Sequence, residues 1–509
     1  KRGPLPQNVY QWNQTINPLG IHRKLPEREI TDMRRLFSIA IAASLAGCMI
    51  GPDYRRPSVD IPQSFRYGEK DARDTANTEW WKEFGDTVLD GLIAEALAGN
   101  KDVKVDAANI EKAAGVLTQV RSPLFPQLNY QGDGARQRSS ESMATPYPPG
   151  VVNPFDSFQL FAGATWEIDL WGRVRRLSEA ARAELLATRE AQRGVILSLV
   201  ASVAGNYLQL RGLDEQLAIS RLNLSAYAES VKIFELQFQY GQISLMNLEQ
   251  ARTQYETAAA TIPKLESQIA QTEHSLSILL GRNPGPIVRG KTNNELAFPV
   301  IPAGLPSQLL ERRPDLAQAE QNLISANAQI GAAKALYFPA ISLTGRYGYQ
   351  SENLSDLFKG PARIWSYGGS ISGPIFTAGG ISGQVRQTEA AQKGALLSYE
   401  KAIQSAFADV ENALVDRKML EEQLNAQKRL VDASSQYERL AKLQYDGGYA
   451  PYSTVLQAQQ QLFPAELNQS QIRTSLLTSF VTIYKAMGGG WVTVAEQLTQ
   501  PGVSAPALP

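Results

Sequence analysis

The chain has 509 residues with 50 basic and 50 acidic side chains, so it carries no net charge, and no basic block offers a footprint for nucleic acid. A single cysteine excludes an internal disulfide and a thiolate metal cluster, and two distant histidines, His22 and His274, leave little raw material for acid–base or nucleophilic catalysis. Phosphate-binding loops and dinucleotide fingerprints are absent from the sequence. A non-enzymatic protein without cofactor or metal is expected.

Residues 1–32 fit no part of an export signal and read as an upstream extension. Residues 33–47 begin Met33-Arg34-Arg35 and continue as an apolar run too short for a bilayer, which needs about 20 such residues. A basic start, a short greasy core and small residues before a boundary form the layout of a secretory signal. That boundary, Leu45-Ala46-Gly47-Cys48, resembles the lipobox of bacterial lipoproteins. The resemblance implies a covalent lipid on Cys48, and Met49 in place of an aspartate after it implies sorting to the outer membrane. The first 47 residues hold seven basic and three acidic side chains, leaving 43 minus 47, or −4, on the remainder.

The remainder repeats itself. "SPLFPQLNYQGDGARQ" from Ser122 echoes "KALYFPAISLTGRYGYQ" from Lys334, and "WEIDLWGRVRRLSEAARAE" from Trp166 echoes "GPIFTAGGISGQVRQTEAAQK" from Gly373. "LQFQYGQISLMNLEQARTQY" from Leu236 echoes "KLQYDGGYAPYSTVLQAQQQL" from Lys442. The pattern predicts an N-terminal anchor segment and first helix (48–121), a first repeat (122–284), a linker rich in Pro and Gly (285–310), a second repeat (311–490) and a C-terminal tail (491–509).

Each repeat reads as helix, strand, loop, strand, very long helix, turn and long returning helix. Over 158–170, Phe158, Leu160, Ala162, Ala164, Trp166, Ile168 and Leu170 alternate with Gln159, Phe161, Gly163, Thr165, Glu167 and Asp169. Over 341–350 the apolar set is Ile341, Leu343, Gly345, Tyr347 and Tyr349. A period of two over about ten residues suits a tilted membrane strand, with Trp166, Trp171, Trp365 and Tyr367 as an aromatic girdle. A half-buried sheet of a soluble domain would alternate in the same way. Residues 177–238 contain no proline and predict a helix of about 90 Å. Ile196, Val200, Val203, Tyr207 and Leu210, like Ile403, Phe407, Val410 and Leu414, have four-three spacing of coiled-coil type. Four membrane strands cannot close a barrel, and an open edge in lipid costs several kcal/mol per unpaired group, so the strand count demands oligomerisation.

"ERRPDLAQAEQNLISANAQIGAAKALYFPAISLTGRYGYQS" from Glu311, with "WWKEFGDTVLDGLIAEALAGN", "WEIDLWGRVRR" and "YKAMGGGW", resembles outer-membrane efflux lipoproteins, the NodT branch of the TolC-like outer membrane factors. The resemblance covers residues 48–491 and implies a mixed α and β membrane protein. It implies a homotrimer with a 12-strand barrel, four strands per chain, a long periplasmic α-helical barrel and an equatorial domain. Its implied partners are outer-membrane lipid, a periplasmic membrane-fusion adaptor and an inner-membrane pump of the resistance-nodulation-division type. Its implied role is passive conduction of drugs or other small toxic compounds. A gate is expected at the turns farthest from the barrel, at Gly241, Asn247, Tyr445, Gly447, Gly448, Thr454 and Gln457. Tyr445 and Gly448 match relatives, whereas Thr454 and Gln457 stand where those carry aspartates, and Asn247 replaces an acidic partner. A closed entrance held by neutral hydrogen bonds and packing around Tyr445 is therefore expected. An exit duct for type I protein secretion, or a structural coiled-coil lipoprotein, are the alternatives.

Overall fold

The computed structural model describes residues 49–59, 61–62, 64–67, 79–140, 153–301, 306–488 and 492. Leu45, Ala46, Gly47 and Cys48 lie outside the described residues, as does most of the C-terminal tail. The unit described below is Met49–Pro509.

After a 3-10 turn at Trp80–Phe84, the elements are α1 (Thr87–Gly99), α2 (Lys101–Arg121), β1 (Gln127–Gln137), β2 (Phe155–Ile168), α3 (Arg173–Gln239) and α4 (Leu245–Leu279). There follow α5 (Pro306–Arg312), α6 (Pro314–Ala335), β3 (Ala340–Ser351), β4 (Arg363–Ser372), α7 (Gly380–Asp446) and α8 (Tyr452–Ala486). The segment expected to hold one first helix holds two. Asn100 separates them, ending α1 and accepting from the backbone N–H groups of Asp102 and Val103 to start α2.

Duplication is visible residue by residue. Helices α3 and α7 both have 67 residues, about 100 Å, and α4 and α8 both have 35. Ala340 follows Gln127 by 213 positions, whereas Gly380 follows Arg173 by 207. The difference of six is the excess of the first hairpin loop, 138–154, over the second, 352–362.

The four strands form one antiparallel sheet in the order β1-β2-β3-β4, with β1 and β4 as open edges. The central pair joins β2 to β3, matching Ala162 to Tyr347 and Leu160 to Tyr349. Register gathers the alternating sets into two faces. One carries Leu128, Tyr130, Leu160, Ala162, Tyr347, Trp365 and Tyr367, and the other carries Asn129, Gln131, Thr165, Thr344, Arg346 and Ser366. The strand predicted over 158–170 runs instead from Phe155 to Ile168, because Asp169 leaves the ladder to accept from the N–H groups of Val174 and Arg175 and start α3. Tyr367 lies in mid-strand rather than at an end, stacked on Trp365 at 5.7 Å.

Helices α2, α3, α6 and α7 pack side by side next to the sheet, and α4, α3, α8 and α7 do so beyond mid-length. The exchange happens at two end-to-end welds. The Asn100 side-chain amide donates to Leu279 O (2.9 Å), joining α4 to α2. The Arg313 guanidinium donates to Ala486 O (3.1 Å), joining α8 to α6, and pairs with Asp315 (2.7 Å) and Asp409 (2.9 Å). The "ERRPDL" run is thus the second weld.

The main core lies at these joints. Trp80, Phe84, Leu89, Ile93, Ile287 and Leu296 pack against Ile196, Val200, Val203, Tyr207 and Leu210 of α3 and Leu477 and Tyr484 of α8. The four-three row of α3 therefore faces the N-terminal segment and linker as well as neighbouring helices. Trp80 stacks on Tyr484 at 5.0 Å, and the Tyr484 hydroxyl donates to Val300 O (2.6 Å). Buried Asp86 accepts from the Tyr207 hydroxyl (2.7 Å) and from Lys291 N (2.9 Å), tying three distant segments together.

Candidate functional site

The predicted tip turns lie at the ends of α3 and α7, and they are the same turn twice. Gly241 N donates to Phe238 O and Gln242 N to Gln237 O; Gly448 N donates to Tyr445 O and Tyr449 N to Gln444 O. Gly241 and Gly448 have φ of +72° and +75°, a region that costs other L-residues about 1–2 kcal/mol. Gly447 differs: it has φ −80°, and its missing Cβ makes room for the Tyr449 ring.

Tyr445 is half-buried between two aromatic rings, 6.4 Å from Phe234 of α3 and 5.2 Å from Tyr452 of α8, which themselves meet at 4.1 Å. Leu248, Ala251, Ala441, Val455 and Leu456 complete this apolar cluster, so residues from α3, α4, α7 and α8 converge there. Within the chain, ring packing holds Tyr445, and the neighbouring Tyr452 shares a side-chain hydrogen bond with Ser230. Thr454 is half-buried and Gln457 exposed on α8, while Asn247 is half-buried in the first turn of α4, which Ser244 caps. These three do not enter the apolar cluster.

A second constellation, at the foot of the sheet, was not singled out from sequence. Arg176 in the first turn of α3 is 2% exposed. Its guanidinium donates to Ile50 O (3.2 Å), Gly51 O (3.4 Å), Asp53 Oδ1 (2.7 Å) and Glu179 Oε2 (2.8 Å). Ile50 N donates to Trp171 O (3.2 Å) and the Asn327 amide to Pro52 O (2.9 Å). Gly51 meets Gly331 of α6 so closely that a Cβ on Gly51 would stand 2.4 Å from the Gly331 Cα. The segment following Cys48 is thus clamped between α3 and α6. The only sequence signal was the cluster of arginines in "WGRVRR", where Arg173 pairs with Glu167 (3.0 Å) and Arg175 with Asp169 (3.3 Å).

The sheet supplies a wall with one polar and one apolar face. Trp166 at the foot satisfies its indole N–H on Leu124 O (3.0 Å), and Trp171 on Pro339 O (2.8 Å), as amphipathic rings do at an interface. Among the described residues no helix is long and apolar enough to cross a membrane, and no group of His, Cys, Asp and Glu could hold a metal ion.

The family model described as "Outer membrane efflux protein" matches residues 92–282 and 305–489, which contain both repeats. The probable efflux pump outer membrane protein TtgC of Pseudomonas putida KT2440 is 35% identical over 475 residues, 92% of this chain and 98% of that protein. The cation efflux system protein CusC of Escherichia coli O6:H1 is 34% identical over 463 residues, 90% of this chain and 99% of that one. A crystal structure of CusC superposes with a TM-score of 0.78 at 33% identity, covering 87% of this chain and all of the other. The fold is accordingly that of the trimeric outer-membrane channels, four strands per chain over a long helical barrel. Two repeats on one family model, a sheet with open edges and two 67-residue helices flanked by shorter helices welded end to end agree on one conclusion: this chain belongs to the outer membrane efflux protein family and is an outer-membrane channel component of an efflux system, not an enzyme.

Proposed function

We propose that three copies of this chain form a passive exit for drugs or other small toxic compounds, gated at the helix tips. The observation that carries this reading is the four-stranded sheet with one polar face and two open edges. In lipid each unpaired backbone group at those edges costs several kcal/mol, and joining β4 of one copy to β1 of the next removes the edges. Eight strands from two copies would enclose a space that side chains fill, whereas twelve leave a wider lumen.

Energy comes from an inner-membrane pump of the resistance-nodulation-division type, reached through a periplasmic membrane-fusion adaptor at the tips. The Phe234–Tyr445–Tyr452 cluster keeps the tip closed, since swinging α7 and α8 away from α3 separates those rings. A lipid on Cys48 anchors the chain to the outer membrane. The clamp supports this, because Met49, covalently next to Cys48, packs on Gly172 beside the interfacial Trp171.

Purified protein added to planar bilayers tests the reading. A duct gives stepwise conductance from a cross-linkable trimer, and deletion of the gene raises drug susceptibility. A coiled-coil lipoprotein without a pore gives a silent bilayer, which would remove the proposal.

A further inference from the structure

On the polar face of the sheet, register aligns Asn129, Gly163, Arg346 and Ser366 in one row. Four residues along β1, toward its hairpin loop and about 14 Å away, Asp133, Gln159 and Gln350 form another. Arg346 and Asp133 are the two charges of this face that no ion pair neutralises among the described residues; Glu167 is paired with Arg173. Arg346 has a built seat. The Phe161 ring lies across Gly348, where a Cβ would come within 2.7 Å of it, and the Arg346 guanidinium sits 5.1 Å over that ring. Arg346 Nε donates to Ser366 Oγ (3.2 Å), and the side chain borders a recess of about 340 Å³ that Asn129, Thr165 and Thr344 also line. Asp133 accepts from the amides of Gln131 (2.8 Å) and Gln159 (3.2 Å).

We propose that Arg346 is a specificity-determining residue of the barrel lumen, contacting anionic groups of the cargo and raising the local anion concentration. This rests on the trimeric-barrel reading, in which three Arg346 side chains ring the pore and three Asp133 form a counter-ring nearer the hairpin loops. Rings of arginine favour anions and rings of aspartate favour cations. The cation–π seat holds the guanidinium toward the lumen, while its other N–H groups stay available to a passing carboxylate, sulfonate or chloride.

The test is the reversal potential of the full-length trimer in planar bilayers under a potassium chloride gradient. Arg346→Gln lowers the chloride-to-potassium permeability ratio about twofold or more, the change that one unit charge some 10 Å away produces in water. Arg346→Lys keeps the ratio within that factor, and Asp133→Asn moves it in the opposite direction. Wild-type-like conductance with an unchanged ratio in Arg346→Gln overturns the inference and leaves the barrel standing. Wild-type protein that does not conduct at all overturns the barrel reading, and this inference with it.

Discussion

Replacing Arg176 with methionine keeps most of the side-chain volume and removes the charge that holds the segment after Cys48. The four bonds it breaks are not equal. The contacts to Ile50 O and Gly51 O are long, at 3.2 and 3.4 Å, and contribute less than typical neutral bonds of about 1 kcal/mol. Asp53 is 2.7 Å away, but its carboxylate is 88% exposed, so water screens it and the pair contributes about 1 kcal/mol at most. Glu179 lies on α3 itself, three residues on, so its bond (2.8 Å) orients the guanidinium without adding to the hold on the segment. The three bonds that reach the segment hold the clamp by about 2 kcal/mol, and Asp53→Asn alone should cost under about 1 kcal/mol. The readout is hydrogen exchange at the Ile50 amide, which donates to Trp171 O and exchanges only when the segment lifts away. At a factor of ten per 1.4 kcal/mol, Arg176→Met should speed it about 30-fold and Asp53→Asn less than about fivefold. Equal acceleration in the two variants, or none in Arg176→Met, would refute the clamp.

Two further predictions concern the helical end. Tyr445→Ala removes the one Tyr445 ring contact that crosses to α3, of about 0.5–1.5 kcal/mol, so it should raise the open fraction of each protomer about 2- to 13-fold. Conductance no greater than wild type in an intact trimer would exclude that gate. Glu466 of α8 accepts from the Asn223 amide of α3 (3.1 Å); burial pushes its pKa above the ordinary carboxylate value, the Asn223 bond opposes this, and Glu438 adds to it. A folded-state value raised above the unfolded one of about 4.3 means that its contribution is fully present below that pH and is lost as pH rises through the folded value. Mild acidification should therefore tighten the α3–α8 contact, measured as a narrower distance distribution between spin labels on exposed positions of α3 and α8 flanking Asn223 and Glu466. Glu466→Gln should abolish the pH dependence, and a dependence that persists would assign it to another group.

How much of this was legible in sequence depends on the reach of each interaction. The long helices and the two-faced strands rest on local periodicity and were readable, as was the duplication, since turns with the same hydrogen bonds need glycine at Gly241 and Gly448. The pairing of β2 with β3 was not, because α3, α4, α5 and α6 intervene in the chain. Arg176 and Arg313 were quoted only as parts of motifs. Their partners lie 123 and 173 residues away, in Asp53 and Ala486, and no spacing rule announces such a meeting. The row from Ile196 to Leu210 has seam spacing, but the spacing cannot say that Trp80 and Leu296 rather than another helix alone fill the groove.

The same distinction bears on which half of the duplicated chain moves. Near the tips α3 and α4 are laced by ion pairs, Arg252 to Glu235 (2.9 Å) and Arg221 to Glu266 (2.8 Å). At the corresponding heights α7 and α8 meet through side-chain amides, Gln427 donating to Ala465 O (2.9 Å) and Asn468 to Gln427 Oε1 (3.2 Å). Exposed pairs contribute little individually, so the first hairpin is not stiffer by much on that account. The welds differ more. Asn100 seals the first with one neutral amide, whereas Arg313 seals the second with two carboxylates and a helix end, holding α7, α6 and α8 at one point. Below that point Ser470–Glu215 (2.8 Å), the Tyr227–Phe463 ring pair, Glu466–Asn223 and the Phe234–Tyr445–Tyr452 cluster fasten the second hairpin to α3. In the proposed gate, the Arg313 weld would be the fixed end of α7 and α8, and the Tyr445 rings the contact nearest the turn that has to part.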